Sequence, residues 1–211
     1  MSHVEIVNDH CQCGKSHASS LDKNHMSSPH VSLQGQLLLD GGKLRGSFFH
    51  RSVVLVCQHN PKGTFGLVLN RVMKSSIGEL IPEDLPETFK EHPLYWGGPI
   101  QPGALSYLHG NSFLPAGNVM DHLNVGHSLE ELIELANTFS PSKRMRVFAG
   151  YAGWSSGQLD AELEDDSWLT HPASMDLIFE HDAETLWHHI LGLKDWQHRL
   201  LSQSPEDLSW N

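Results

Sequence analysis

The chain has 211 residues, 39% of them hydrophobic, and a formal net charge of -11 at pH 7. That length favours a single domain able to bury a real core. With no long apolar run and no apolar N-terminal segment, the chain is expected to be soluble and not exported. The charge argues against direct nucleic-acid binding: residues 158–211 hold 12 Asp/Glu against only Lys194 and Arg199, and an acidic surface repels phosphate.

Residues 1–30 are polar, rich in His and Ser and without periodicity, and read as a tail. The domain is expected to occupy 31–211. The tail carries Cys11, Cys13 and His17, with His10 beside them. A structural zinc site needs four ligands, commonly with a second pair further along the chain. The one remaining cysteine, Cys57, lies inside the apolar run SVVLVCQH. No metal and no cofactor are therefore expected, and the cysteine usage fits a reducing, cytoplasmic setting.

From Gln34 the texture changes. GQLLLD is a short strand. RSVVLVCQH (51–59) and TFGLVLNR are two more, joined through the turn residues Asn60, Pro61 and Gly63, and predict a hairpin. SIGELIP suggests one helical turn ended by Pro82, and PEDLPETFKEHP a charged loop. LYWGGPI and ALSYLHG read as strands, the first running into a Gly-Gly-Pro turn. SLEELIELANTFS places Leu129, Leu132, Ile133, Leu135 and Ala136 at helical spacing, with Ser128 as cap and Glu131 three residues on, a capping-box pattern. Lys143, Arg144 and Arg146 form a basic strand entry before RMRVFAGYAGW. GQLDAELE predicts a helix, SWLTHPA an extended piece and MDLIFE a last strand. Residues 183–202 predict one amphipathic helix whose apolar face is Leu186, Trp187, Ile190, Leu191, Leu193 and Leu200. Short hairpin connections among interleaved elements argue for an α+β domain on a mixed, largely antiparallel sheet.

Residues 153–157 read GWSSG, a match to the nucleophile pattern G-x-S-x-G in a strand-to-helix context. That makes Ser155 a candidate hydrolase nucleophile. Acids and histidines follow it in the order a triad requires, but a chain with 16 histidines and 25 Asp/Glu meets that condition without effort. No Gly-rich oxyanion segment precedes it, and no phosphate-binding glycine motif is present. The residues around the serines say more. Tyr151, Trp154, Gln158, Glu162 and Trp168 fall close together, and Gln158 and Glu162 share a helix face. They suit either the wall of a binding cleft or a plug in the core.

Four stretches together resemble the YqgE/AlgH family of bacterial proteins: RSVVLVCQHNPKGTFGLVLNR, YWGGPIQPGALSYLHG, GYAGWSSGQLDAELEDDSWL and IFEHDAETLWHHIL. The resemblance spans about residues 34–195. It implies a bifurcated sheet wrapped into a pseudo-barrel with helices packed outside, and no settled activity; some members are described as putative transcriptional regulators. The positions matching its polar and glycine signature are Arg51, Asn70, Arg71, Gly97, Gly98, Pro99, His109, Gly150, Tyr151, Gly153, Trp154, Gly157, Gln158, Glu162 and Trp168. Where many members carry a proline and an Asp-Pro pair, this chain has Gly42, Gly46 and Ser47. Ser155 and Ser156 fall where the family often has Gly-Pro. The expectation is a non-enzymatic binding or regulatory protein whose partner is a protein or a small molecule. Its candidate cluster is Arg51, Asn70, Arg71, Gly97, Gly98, His109, Tyr151, Trp154, Gln158, Glu162 and Trp168, and the oligomeric state is left open.

Overall fold

The computed structural model describes residues 31–81, 85–110, 116–138 and 144–204. The Cys11/Cys13/His17 tail lies outside the described residues. In chain order the elements are β1 (Gln36–Asp40), β2 (Val53–Asn60), β3 (Gly63–Val68), β4 (Val72–Ser76), α1 (Ile77–Leu80), α2 (Glu87–Lys90), β5 (Pro93–Trp96), β6 (Ile100–Gly110), β7 (Leu123–Gly126), α3 (Leu129–Thr138), β8 (Met145–Ser155), α4 (Gln158–Glu164), β9 (Trp168–Pro172), α5 (Met175–Phe179), α6 (Ala183–Gly192) and α7 (Trp196–Gln203).

The strands form one branched sheet. Its main path runs β4-β5-β8-β3-β2-β1-β9, open at both ends, and β6 joins β8 off this path and carries β7. Among the described residues, only β5 and β8 pair in parallel; the other pairings are antiparallel. The β2-β3 hairpin forms as expected, with Asn60 opposite Gly63 and a register shift between Val56 and Gln58.

Strand β8 is the branch point. Its first half pairs with β5 through Val147–Ala149 and with β6 through Met145–Ala149, and its last residues, Ala152–Ser155, pair with β3. Three apolar clusters fill the faces. The largest places Leu37, Leu39, Leu55 and Leu67 under α5 and α6, with Trp187 and Leu186 fully enclosed. The second joins Val147, Leu94 and Tyr107 to α1, α2 and α3. The third sets Leu38, Val54, Val68 and Ala152 under α4 and the 41–52 loop.

Three local expectations are corrected. MDLIFE is helix α5, not a strand: Ser174 accepts from Leu177 N and starts a helical turn that buries Leu177 and Ile178. The single helix over 183–202 is two helices. Asp195 accepts from Gln197 N and His198 N, which starts α7 anew and turns Leu193 and Leu200 outward, 60% and 59% exposed. The charged stretch around Phe89 holds one helical turn, α2, because Phe89 is buried. At α3 the Ser128 cap forms, accepting from Glu131 N at 3.3 Å. The reciprocal arm of the box is replaced, since Glu131 instead accepts from Tyr107. Strands β4 and β7 carry no strong β signal in the sequence; their burial is partial.

Candidate functional site

The candidate residues separate into four groups, with Tyr151 apart from them. The first is a clamp around α4. Glu162 Oε2 accepts from Trp154 Nε1 at 2.8 Å and from Trp168 Nε1 at 2.7 Å, and its Oε1 accepts from Gln158 Nε2 at 2.9 Å. Gln158 Oε1 accepts from both the amide and the hydroxyl of Ser155 at 3.1 Å. Phe49 stacks on Trp154 and meets Trp168 edge-on. Both tryptophans are buried, and their polar tips are used internally.

The clamp also determines what Ser155 can do. Its hydroxyl donates to an amide oxygen, and no histidine is hydrogen-bonded to it among the described residues. Nor is Ser155 among the positive-φ residues Arg51, Gln101, His122 and Asp166, as a strained elbow would suggest. Ser156 donates to Pro61 O. The GWSSG segment is a β8-to-α4 corner closed by Gly157 in the left-handed region, φ 73°.

The second group knots the 41–52 loop. Asp40, fully buried, accepts from Gly42 N, Leu44 N and Arg51 N. Asn70 accepts from Val53 N and donates to Arg51 O. Arg71 donates to the carbonyls of Phe48 and His50 and lies over the Phe48 ring. Arg51 sits over Trp187 and donates to Ser204 O at the end of α7. This knot presses Phe49 onto the tryptophans of the first group, so the two groups form one structural unit.

The third group is a backbone crossing. A side chain on Gly98 would overlap the Tyr151 backbone, and one on Gly150, at φ 71°, would lie 2.6 Å from Gly98 O. Gly97 N donates to Ala149 O, and its own carbonyl accepts from Val68 N. The Gly-Gly-Pro segment therefore passes β8 where that strand changes neighbours.

The fourth position, His109, stands apart on β6 beside Tyr107, whose hydroxyl donates to Glu131 Oε2 at 2.9 Å. Burial holds the His109 imidazole below its ordinary value, against the pull of Glu131. Burial and the same Glu131 bond push the Tyr107 phenol well up. Cys57 is an inert core thiol, also pushed up by burial. Among the described residues no group of three or more His, Cys, Asp or Glu could hold a metal ion, and no helix is long and apolar enough to cross a membrane.

Tyr151 differs from the other aromatic candidates. It is half-buried, and its hydroxyl makes no hydrogen bond within the described residues. Its ring lies 5.3 Å from Phe65, which meets the exposed His127 ring edge-on at 5.4 Å. Ile100, opposite Tyr151 in register and 37% exposed, adjoins them. Ser106, buried on β6, lies with its hydroxyl 3.0 Å from His127 Nδ1. Although His127 is open to solvent on one side, desolvation by its neighbours holds it below the ordinary imidazole value, partly offset by a hydrogen bond to the Leu105 backbone. This rim of Phe65, Tyr151, His127 and Ile100 joins residues from β3, β6, β8 and the segment after β7. Of the four, the sequence reading singled out only Tyr151. Phe65 carried a weak signal, since it alternates with buried Thr64 and Gly66; His127 carried none.

The AlgH-like family model matches residues 37–199. A UPF0301 protein of Chlorobium luteolum is 37% identical over 178 residues, covering 82% of this chain and 91% of its own length. One from Xylella fastidiosa is 34% identical over 173 residues, covering 79% and 92%. The solution structure of the AlgH protein from Pseudomonas aeruginosa superposes with a TM-score of 0.64 at 30% identity, covering 85% of this chain and 98% of its own. A crystal structure from Corynebacterium diphtheriae shares the fold, with a TM-score of 0.67 at 23% identity, covering 86% and 96%. The branched α+β sheet, the knotted loop and the clamped strand-to-helix corner are thus those of a chain that belongs to the AlgH-like family.

Proposed function

We propose that this chain is a non-enzymatic binding protein, and that its ligand contact is the rim of Phe65, Tyr151, His127 and Ile100. The observation that carries this reading is the Tyr151 hydroxyl, which makes no hydrogen bond among the described residues, beside two half-open rings. The tips of Trp154, Trp168 and Glu162 and the terminal Arg71 nitrogen are instead used to hold the fold. An aromatic wall with a phenol and an imidazole suits a small planar ligand, held by stacking and one or two hydrogen bonds. A regulatory role, as putative transcriptional regulators of the family are described, would follow from such binding indirectly. The acidic C-terminal third opposes direct contact with DNA.

A thermal-shift screen of nucleosides and aromatic carboxylates tests the proposal. A hit should be weakened ~5–10-fold by Tyr151→Phe, which removes one hydrogen bond of about 1–1.5 kcal/mol, and lost in His127→Ala. Hits indifferent to both changes, or tight and specific duplex DNA binding at ~150 mM salt, would count against it.

A further inference from the structure

His59 lies near the end of β2, and its side chain is only 2% exposed. Its Nδ1 accepts from the Leu33 amide at 2.9 Å, and its carbonyl accepts from the Ser32 hydroxyl at 3.1 Å. These two bonds tie residues 32 and 33 to the sheet just ahead of β1. From Gly35 onward the chain is fixed separately: Gly35 N donates to Val56 O, and Gly35 O accepts from Ala173 N. Between them, the Gln34 side chain donates to the carbonyls of Asn118 and Val119. Leu33 itself is half-buried and packs on the third apolar cluster.

The Leu33 bond fixes the state of the ring. An imidazole nitrogen that accepts an N–H must carry its lone pair, so the single proton of the neutral ring sits on Nε2. That nitrogen faces Asp160 of α4, whose Oδ1 lies 3.9 Å away and whose side chain is 48% exposed. Thr64 of β3 stands opposite His59 in register. A second proton can enter only at Nδ1. There it would set N–H against N–H, so the Leu33 amide has to leave. Burial opposes the resulting cation, and the Asp160 carboxylate favours it.

We propose that His59 is a proton-operated latch on the segment that leads into β1. It is closed while Nδ1 carries no proton, and it releases Leu33 when the ring takes one up. Opening frees residues 31–33 and uncovers the part of the third cluster that Leu33 shields. Gln34 and Gly35 keep their own bonds, so β1 stays in the sheet.

Amide hydrogen exchange of the full chain, read by NMR from about pH 7.5 down to about pH 5, spans the imidazole range and tests the latch. Exchange chemistry slows as pH falls, whereas an opening that takes up one proton becomes up to ~10-fold more frequent per pH unit. The Leu33 amide should therefore lose protection as pH falls, while the Val54 amide, inside β2, keeps its own. His59→Asn puts an acceptor oxygen close to the place of Nδ1 and does not titrate, so Leu33 protection should become independent of pH. Should that variant fail to fold, a two-bond proton–nitrogen correlation of the parent ring decides the same point. It should show Nδ1 without a proton at about pH 7.5 and gaining one over the range in which Leu33 opens. Leu33 protection that ignores pH, a fall shared by Val54, an equal fall in His59→Asn, or an Nδ1 already protonated at the upper end would each overturn the proposal.

Discussion

Glu162 holds two indole N–H groups on one oxygen and an amide on the other, with no cation among these partners. A carboxylate oxygen can accept both indoles; an amide group in its place can satisfy them only by its carbonyl side. Glu162→Gln should therefore cost about 2–3 kcal/mol in urea unfolding, within the range for hydrogen bonds to a charged acceptor, and should shift tryptophan emission to the red. Gln158→Ala, losing only exposed bonds, should cost less than about 1 kcal/mol. Equal stability of Glu162→Gln and the parent chain would show that the clamp is not structural. This network was half legible. The four-residue spacing put Gln158 and Glu162 on one face, and they do bond. That both tryptophans point inward onto the same oxygen depends on β8, α4 and β9 converging, which local spacing does not encode.

At the scale of elements, the crossing of Gly97-Gly98 over β8 is the feature most sensitive to change. Gly98→Ala would drive a methyl into the Tyr151 backbone, and β8 cannot yield there without breaking its pairing with β5 and β6. Its expected cost is above about 3 kcal/mol, at the upper end for single substitutions, or loss of soluble protein. Gly103→Ala, with nothing within 4 Å of the added atom, should stay within about 1 kcal/mol of the parent. A tolerated Gly98→Ala, measured by urea denaturation, would contradict the crossing. In the sequence this pair looked like an ordinary turn, because a glycine chosen for close approach and one chosen for a bend look the same. The hairpin, β1, α3 and α4 were legible because their periodicity and punctuation are local. MDLIFE was not, since a short apolar run suits a strand or a helix equally and the Ser174 cap decided it. The 183–202 helix was misread because leucines continue at helical spacing through a break made by one carboxylate, Asp195.

For the molecule as a whole, burial places several histidines under the same constraint. His92, His109, His127 and His171 are all held below the ordinary imidazole value by desolvation, His171 also by Lys194 and His189. The folded chain resists protons that the unfolded chain accepts below about pH 6.5. Their contribution to stability is thus complete above that pH and is lost as pH falls. The urea midpoint should drop between pH 7.5 and 5.5, and replacing all four by Gln should flatten that slope; a midpoint independent of pH in the parent chain would refute it. The sequence made the acidity and the α+β class plain at this scale. It did not show that Phe65 and His127 meet Tyr151, because these come from different strands of a branched sheet. The two ends of that sheet raise a separate matter. β9 closes the path with β1 on one side, and there Lys194 donates to the Thr170 carbonyl while Pro172 offers no N–H. A long lysine and a proline together make this edge a poor template for an incoming strand.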